Sequence, residues 1–316
     1  MNLLFVADPL ESFKAYKDTT YTMMREAARR GHGLCACEPS SLRWQQGRPV
    51  TARVRPIALT GREDGWFTED AARDMALKDF DAVLMRKDPP FDAEYIYATH
   101  LLEQAEREGA RVFNKPAALR DHPEKLAIME WPQFIGPTLV TREAEAVRAF
   151  HAEHGEIVLK PLDGMGGMGI FRVGPDGLNL GSIIETLNHH GATTLMVQKF
   201  LPEIAEGDKR ILIIDGEPVP QVLARIPQGS EIRGNLAAGG LGVAQPLTAQ
   251  DRATASAIGQ VLARRGLLLI GLDIIGTHVT EINVTSPTCF REILDQTGCD
   301  VPAIFIDALE RAVRAG

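Results

Sequence analysis

Cysteine is scarce in this chain, with four among 316 residues: Cys35, Cys37, Cys289 and Cys299. Cys35-Ala36-Cys37 spans an expected strand, which turns both sulfurs to one face, but no second Cys or His cluster completes a zinc site. Free thiols in a reducing cytosol are the expectation. A basic excess is missing too. Lys and Arg number 34 against 42 Asp and Glu, a formal charge of -8. Nucleic-acid partners want a basic face, so none is expected. No uninterrupted apolar run reaches membrane-spanning length, so no membrane partner is expected either. The opening MNLLFVADPL carries neither a basic leader nor a small-residue cleavage site, and reads as the first strand of a cytoplasmic protein. The GxxxxGK(S/T) phosphate loop is absent, which closes the commonest route to a nucleotide. No internal repeat is found.

What is present is ordinary globular stock, 45% hydrophobic and 24% charged. The length predicts two or three lobes. Leu3–Ala7, Leu34–Glu38, Ala82–Met85 and Arg111–Phe113 read as strands, alternating with helices over Asp18–Arg30 and Glu94–Glu108. That alternation indicates an α/β unit with a mainly parallel sheet. The stretch from Ser40 to Ala76 is polar and broken by Gly and Pro, and no element is placed there. After residue 120 the texture changes. A short helix carrying Lys125 is expected over Pro123–Met129, with further helices over Glu143–Glu153, Thr248–Arg265 and Val301–Arg314. Strands are expected at Thr138–Thr141, Ile157–Leu159, Ile170–Val173 and Leu195–Gln198. Residues 210–225, RILIIDGEPVPQVLAR, read as a hairpin turning at Asp215-Gly216. The boundaries fall near residues 120 and 200, giving lobes 1–120, 121–200 and 201–316.

Residues 164–169, Gly-Met-Gly-Gly-Met-Gly, match the GxGxxG dinucleotide fingerprint. That fingerprint needs a strand before it and a helix after it, near the start of a βαβ unit. Here the loop lies mid-chain and runs into Ile170-Phe171-Arg172-Val173, a β-branched and aromatic run that ends at Gly174-Pro175. A glycine loop between two strands is either a plain mobile turn or a flap laying backbone N–H groups over a triphosphate. Lys160, closing the strand before the loop, tips the reading toward phosphate, and Lys125 is a second ammonium of the same kind.

Leu268–Ile275 and His278–Val284 set Asp273, Glu281 and Asn283 inside apolar runs. Strand alternation projects Glu281 and Asn283 together, and the tight Gly276-Thr277 link makes the two segments antiparallel neighbours. Two carboxylates and an amide oxygen, with no Cys or His beside them, suit a hard cation such as magnesium. The same pattern also suits the open polar face of a half-buried hairpin.

Taken with these features, several longer strings resemble the ATP-grasp superfamily, and within it the bacterial glutathione synthetases. They are MRKDPPFDAEYIYATH at 85–100, NKPAALRDHPEKL at 114–126, VLKPLDGMGGMGIFRV at 158–173, GDKRILIIDGEPVP at 207–220, ARIPQGSEIRGNLAAGG at 224–240 and GLDIIGTHVTEINVTSPT at 271–288. The resemblance spans nearly the whole chain. It implies an α/β ATP-grasp fold behind an N-terminal parallel-sheet domain, and a cytoplasmic homotetramer. It also implies ligation of γ-glutamylcysteine to glycine with ATP and magnesium, or manganese in its place. By resemblance, Lys125 and Lys160 contact ATP and the flap closes over the phosphates with Gly164, Gly166 and Gly167. Gln198, Lys199, Phe200 and Leu201 hold the adenine, Asp208 holds the ribose, and Asp273, Glu281 and Asn283 hold the metal.

Forming an amide from a carboxylate needs activation, here through an acyl phosphate, so the protein's task is positioning and charge stabilisation. Arg210 and Arg225, on the two strands of one hairpin, are assigned as electrostatic catalysts, with surface exposure the plainer alternative. Residues 226–242 read as a lid whose Arg233 and Asn235 contact the intermediate, since acyl phosphates hydrolyse in water. Arg86 meets either a substrate carboxylate or Asp88. Ser286 and Thr288 either receive the glycine carboxylate or cap a helix beginning at Phe290. Met165 and Met168 are expected to pack, and no histidine is given a catalytic role. The competing functions are a sister ligase with another acceptor, a non-catalytic ATP-binding module, and a nicotinamide dehydrogenase resting on the GxGxxG match.

Overall fold

The computed structural model describes residues 1–62 and 64–315. The chain starts on a strand, β1 (Asn2–Ala7), and passes through helix α1 (Thr19–Arg29) to strand β2 (Gly33–Cys37). Asp18 starts α1 by accepting the Tyr21 amide at 2.7 Å. Three antiparallel strands follow: β3 (Thr51–Leu59), β4 (Phe67–Glu69) and β5 (Arg73–Ala76). The parallel pattern resumes with β6 (Ala82–Arg86), α2 (Ala93–Arg107), β7 (Val112–Phe113) and the short α3 (Pro116–Asp121). The sheet order β4-β3-β2-β1-β6-β7 puts β1 near the middle. Its Leu4 and Val6 enter one core while Leu3 and Phe5 enter the other, as a strand covered on both faces requires.

Strands β3 to β5 fill the stretch that the sequence left unplaced. Pro56 sits inside β3 opposite Cys35 and interrupts its donor pattern, which hid a strand otherwise alternating buried Ala52 and Val54 with outward Arg53.

The middle of the chain forms a second sheet from β8 (Thr138–Thr141), β9 (Ile157–Pro161), β10 (Phe171–Val173) and β11 (Leu195–Lys199). It is antiparallel throughout, in the order β10-β9-β11-β8. Helices α4 (Ala144–His154) and α5 (Leu180–Asn188) bury Val147, Ile184 and Leu187 in its core. The helix expected over Pro123–Met129 is instead a 3₁₀ turn over Leu126–Glu130, with Lys125 immediately before it.

The third sheet carries β12 (Asp208–Ile214), β13 (Glu217–Ile226), β14 (Leu241–Pro246), β15 (Leu269–Ile275) and β16 (His278–Asn283), in the order β14-β13-β12-β15-β16. Helix α6 (Ala249–Arg264) follows β14, and α7 (Phe290–Thr297) and α8 (Val301–Ala315) close the chain. The turn joining β12 to β13 has φ of 54° at Asp215 and 83° at Gly216. Two positive φ values define the hairpin turn whose twist matches its strands, and glycine takes the second at no steric cost. Register then does the chemistry's work. It sets Asp208 opposite Arg225, Arg210 opposite Asp273, Asp273 opposite Glu281, and Gly271 opposite Asn283.

Candidate functional site

The second and third sheets enclose a cavity of about 290 Å³ whose wall joins the glycine loop, the hinge after β11, the inner face of β12 and β13, and the turn after β16. At its floor lies a charge cluster. Asp273 accepts from Arg210 Nε at 2.6 Å and from Arg210 Nη2 at 3.0 Å. Arg225 Nη2 stands 2.8 Å from Asp273 Oδ2 and also pairs with Asp208. All four residues are buried, so the plainer reading of Arg210 and Arg225 as surface arginines does not hold. Burial works to raise Asp273, but the two guanidiniums outweigh it and hold its carboxyl well below the usual range. Asp208 goes the other way: burial exceeds the pull of Arg225 and pushes it up to about 6. Its Oδ1 is buried without a partner.

Two lysines face this cluster. Lys160 is 7% exposed and donates to the Thr280 carbonyl at 3.3 Å. Burial pushes it down to about 8, with Glu281 opposing and Lys125 adding to the shift. Lys125 donates to the Gly164 carbonyl at 2.6 Å and stands 3.1 Å from Glu281 Oε1. It therefore ties the glycine loop to β16.

The glycine loop runs between β9 and β10, not into a helix, so the dinucleotide fingerprint lacks its structural context. Gly167 has a φ of 86°, and a Cβ there would lie 2.8 Å from Asn235 Oδ1. Arg233 Nη1 donates to the Gly167 carbonyl at 3.2 Å. The segment between β13 and β14 thus touches the loop across the cavity through the two residues singled out in it. Met165 and Met168 do not pack as expected; they are 39% and 59% exposed on the cavity rim.

In the hinge, the Lys199 amide donates to Pro137 O at 3.0 Å and the Phe200 amide to Glu156 O at 2.9 Å. A base lying here must use other backbone groups, such as the Leu201 amide or the hinge carbonyls. Gln198 donates to Thr138 Oγ1 at 3.1 Å, and the Arg172 guanidinium lies 3.9 Å over the Phe200 ring.

Glu281 and Asn283 line the cavity, with Asp273 beneath them. No group of three or more Asp, Glu, His or Cys suited to a metal occurs among the described residues. The candidate set is two carboxylates and an amide. Asn283 Nδ2 donates both to the Gly271 carbonyl and to Asp273 Oδ2, each at 3.2 Å, which leaves its Oδ1 as the oxygen available to a ligand. The donors are then all oxygen, which fits a hard cation.

Arg86 is buried behind the wall, not on it. It donates from Nε to Thr20 Oγ1 at 3.1 Å and from Nη2 to the Pro287 carbonyl at 3.0 Å. Burial pulls its guanidinium below the usual value. No ion pair with Asp88 forms among the described residues; the Asp88 amide bonds Asp8 instead. Ser286 and Thr288 line the cavity. They are not helix caps, because α7 is entered through Cys289 at a φ of 89° with no side-chain cap. Thr288 Oγ1 accepts from Arg210 Nη1 at 3.4 Å. Sequence reasoning passed over Glu124 and Thr285, which also line the cavity. The only signal was that Glu124 flanks Lys125, where it reads as one more surface charge.

Comparison with known proteins agrees with this geometry. The chain is 59% identical over 312 residues to glutathione synthetase of Ralstonia nicotianae, covering 99% of this chain and 96% of that one. It is 56% identical over 316 residues to glutathione synthetase of Nitrosomonas europaea, covering 99% and 98%. Among solved structures, the D-cycloserine synthetase DcsG superposes with a TM-score of 0.70 at 17% identity, covering 98% and 99%. The ATP-grasp ligase PsnB, complexed with minimal precursor, Mg and ADP, superposes with a TM-score of 0.61 at 19% identity, covering 98% and 97%. At those identities the likeness shows the ATP-grasp fold alone. Residues 1–120 match the N-terminal domain, and residues 124–298 the ATP-grasp domain, of the prokaryotic glutathione synthetases, and the chain belongs to that family.

Proposed function

We propose that this ATP-dependent ligase joins γ-L-glutamyl-L-cysteine to glycine, giving glutathione, ADP and phosphate. The observation that carries the reading is the pair of arginines, Arg210 and Arg225, held on a buried Asp273 at the floor of a cavity roofed by two glycine-rich segments. A carboxylate oxygen of the dipeptide attacks the γ-phosphorus of ATP and ADP departs. The glycine amine then attacks the acyl carbon, phosphate leaves, and the amine gives up a proton. Negative charge develops first on the transferring phosphoryl group and then on the tetrahedral oxyanion. Fixed guanidiniums meet that charge without reorganising, an effect worth roughly 10²–10³ in rate for one such donor.

Lys125 and Lys160 take the phosphates, with the N–H groups of Gly164, Gly166 and Gly167 laid over them. Gln198 to Leu201 receive the adenine, and the unpartnered Asp208 Oδ1 is free to accept from a ribose hydroxyl. Asp273, Glu281 and Asn283 would hold magnesium, or manganese in its place; the bound cation neutralises phosphate oxygens. Arg233 and Asn235 close on the loop and exclude water, and Ser286 and Thr288 receive the glycine carboxylate. Arg86 serves a substrate carboxylate indirectly, through the turn that it holds. The working form is a cytoplasmic homotetramer.

The test is ADP release with ATP, magnesium and γ-glutamylcysteine, with and without glycine, against a D-alanine pair as control. Glycine-dependent release matched by tripeptide is expected. Nucleotide binding with release only on another acceptor would assign the chain to a sister ligase.

A further inference from the structure

The turn after β16 carries Ser286 and Thr288 to the cavity, yet almost none of what holds it belongs to its own sheet. One carboxylate oxygen does most of the work. Glu124 Oε1 accepts from the Val284 amide at 3.0 Å, the Thr285 amide at 3.1 Å and the Thr285 hydroxyl at 2.7 Å. The Glu124 carbonyl accepts from the Ile282 amide at 3.0 Å, so the same residue also holds the last part of β16. Further along the turn, Arg86 donates to Pro287 O, and the Phe290 amide reaches Thr19 Oγ1 at 3.4 Å. Glu124 lines the cavity, but its contacts run to the turn. Lys125, the next residue, reaches Gly164 and Glu281. Two adjacent side chains therefore grip the glycine loop, the cation strand and the acceptor turn together.

We infer that Glu124 is a positioning residue for the acceptor step: it fixes residues 284–288 in the conformation that receives the amine substrate. The inference rests on the reading of Ser286 and Thr288 as the acceptor contacts. Three donors converge on one oxygen, and a carboxylate or an amide oxygen can serve all three, whereas nothing in alanine can. The role is thus geometric, and charge is secondary to it. Loss of the anchor leaves two backbone N–H groups without partners beside the cavity, which favours other conformations of the turn. The nucleotide half of the site is held by other residues and is untouched.

The experiment compares Glu124→Ala, Glu124→Gln, Thr285→Val and Ser286→Ala in steady-state kinetics, with calorimetric nucleotide binding and Tm measured on each. For Glu124→Ala, the KM for glycine is expected to rise about tenfold or more, while nucleotide affinity stays within about twofold. Glu124→Gln should restore the glycine KM to within about threefold of the parent, because its amide oxygen accepts the same bonds. Thr285→Val, which removes a single donor, should move the glycine KM in the same direction by a few-fold, and it decides the matter if Glu124→Ala does not fold. Glu124→Gln as impaired as Glu124→Ala would overturn the inference, since charge and not geometry would then matter. So would an equal loss of nucleotide affinity, or a glycine KM unmoved in Thr285→Val. Ser286→Ala separates the two ideas. A glycine KM unmoved there refutes the acceptor reading of the turn. One that moves there but not in Glu124→Ala refutes the anchor.

Discussion

The floor and the roof of the cavity are built on opposite terms. The floor is an ion cluster in which Arg210, Arg225, Asp208 and Asp273 pair with one another on three adjacent strands, all of them buried, with Asp208 Oδ1 left open toward a ligand. The roof is two glycine-rich segments that meet through partly exposed contacts, with Arg233 paired to Glu231 and bonded to the Gly167 carbonyl. Charge in the floor is costly to bury and tolerable only in a complete set. Charge in the roof is screened and cheap to rearrange. The division suits a reaction that needs fixed cations beneath the reacting atoms and a cover that opens for each new substrate.

Breaking the floor should have the largest effect. Asp273→Asn leaves two buried guanidiniums facing one carboxylate, and stability should fall by about 3–5 kcal/mol with turnover abolished. A Tm unchanged from the parent would mean the cluster is not what holds these strands. Arg210→Lys keeps the charge but loses the two-point grip on Asp273, and kcat should drop about 10²-fold with the fold intact. A kcat within a factor of two would remove Arg210 from the charge-stabilising role. Deleting residues 229–240 tests the roof. Stability should change by less than about 1 kcal/mol, because the cost of loop closure varies slowly with length. ADP release should meanwhile outrun tripeptide formation, and unchanged coupling between the two would count against water exclusion.

The smallest effect lies between floor and roof, at Lys160. Its value in the folded protein, about 8, is below the ordinary 10.5. Between those two values the unfolded chain binds more protons, so this group makes stability rise with pH there, and the contribution is lost as pH falls through about 8. Phosphate beside the ammonium favours the charged form, so ATP binding near pH 8.5 should take up about a fraction of a proton. Calorimetry in two buffers of different ionisation heat reads this directly. Equal heats in both buffers would detach Lys160 from the phosphates.

Much of this was legible in the sequence where the signal is local. The β15–β16 hairpin follows from period-two alternation and a tight turn, but its pairing of Asp273 with Glu281 does not. The plain register from Ile275 opposite His278 would set Asp273 against Thr280, and a bulge between Asp273 and Ile274 shifts it by one residue. Lys160 and the glycine loop are near neighbours in the chain. What could not be read depends on register between distant strands. That Arg210 and Arg225 close on Asp273 needs β12 laid beside β15 in one exact alignment, across 63 residues. Glu124 reaches Thr285 across 161 residues and leaves no periodic trace. Helix α5 escaped notice for a local reason: it begins after Asn179 at a φ of 62° with no side-chain cap, so the usual start signal is absent. Strand β14 is half-exposed, and its apolar positions are too sparse to stand out from the loop before it.

Asn114 shows what the junction between the two family domains demands. Its side chain donates to the carbonyls of Leu269 and Val284 at 2.8 and 3.0 Å and accepts the Leu269 amide at 2.9 Å. A single amide side chain thereby fills in for a missing piece of strand between β15 and the end of β16. A chimera that exchanges residues 1–120 for those of another ligase of this fold would keep every group proposed above to contact ATP. It would keep Glu124 but lose the contacts of Asn114, Arg86 and Thr19 to the turn unless the incoming domain brought equivalents. The unit that can be inherited or recombined intact is therefore the domain together with its seam.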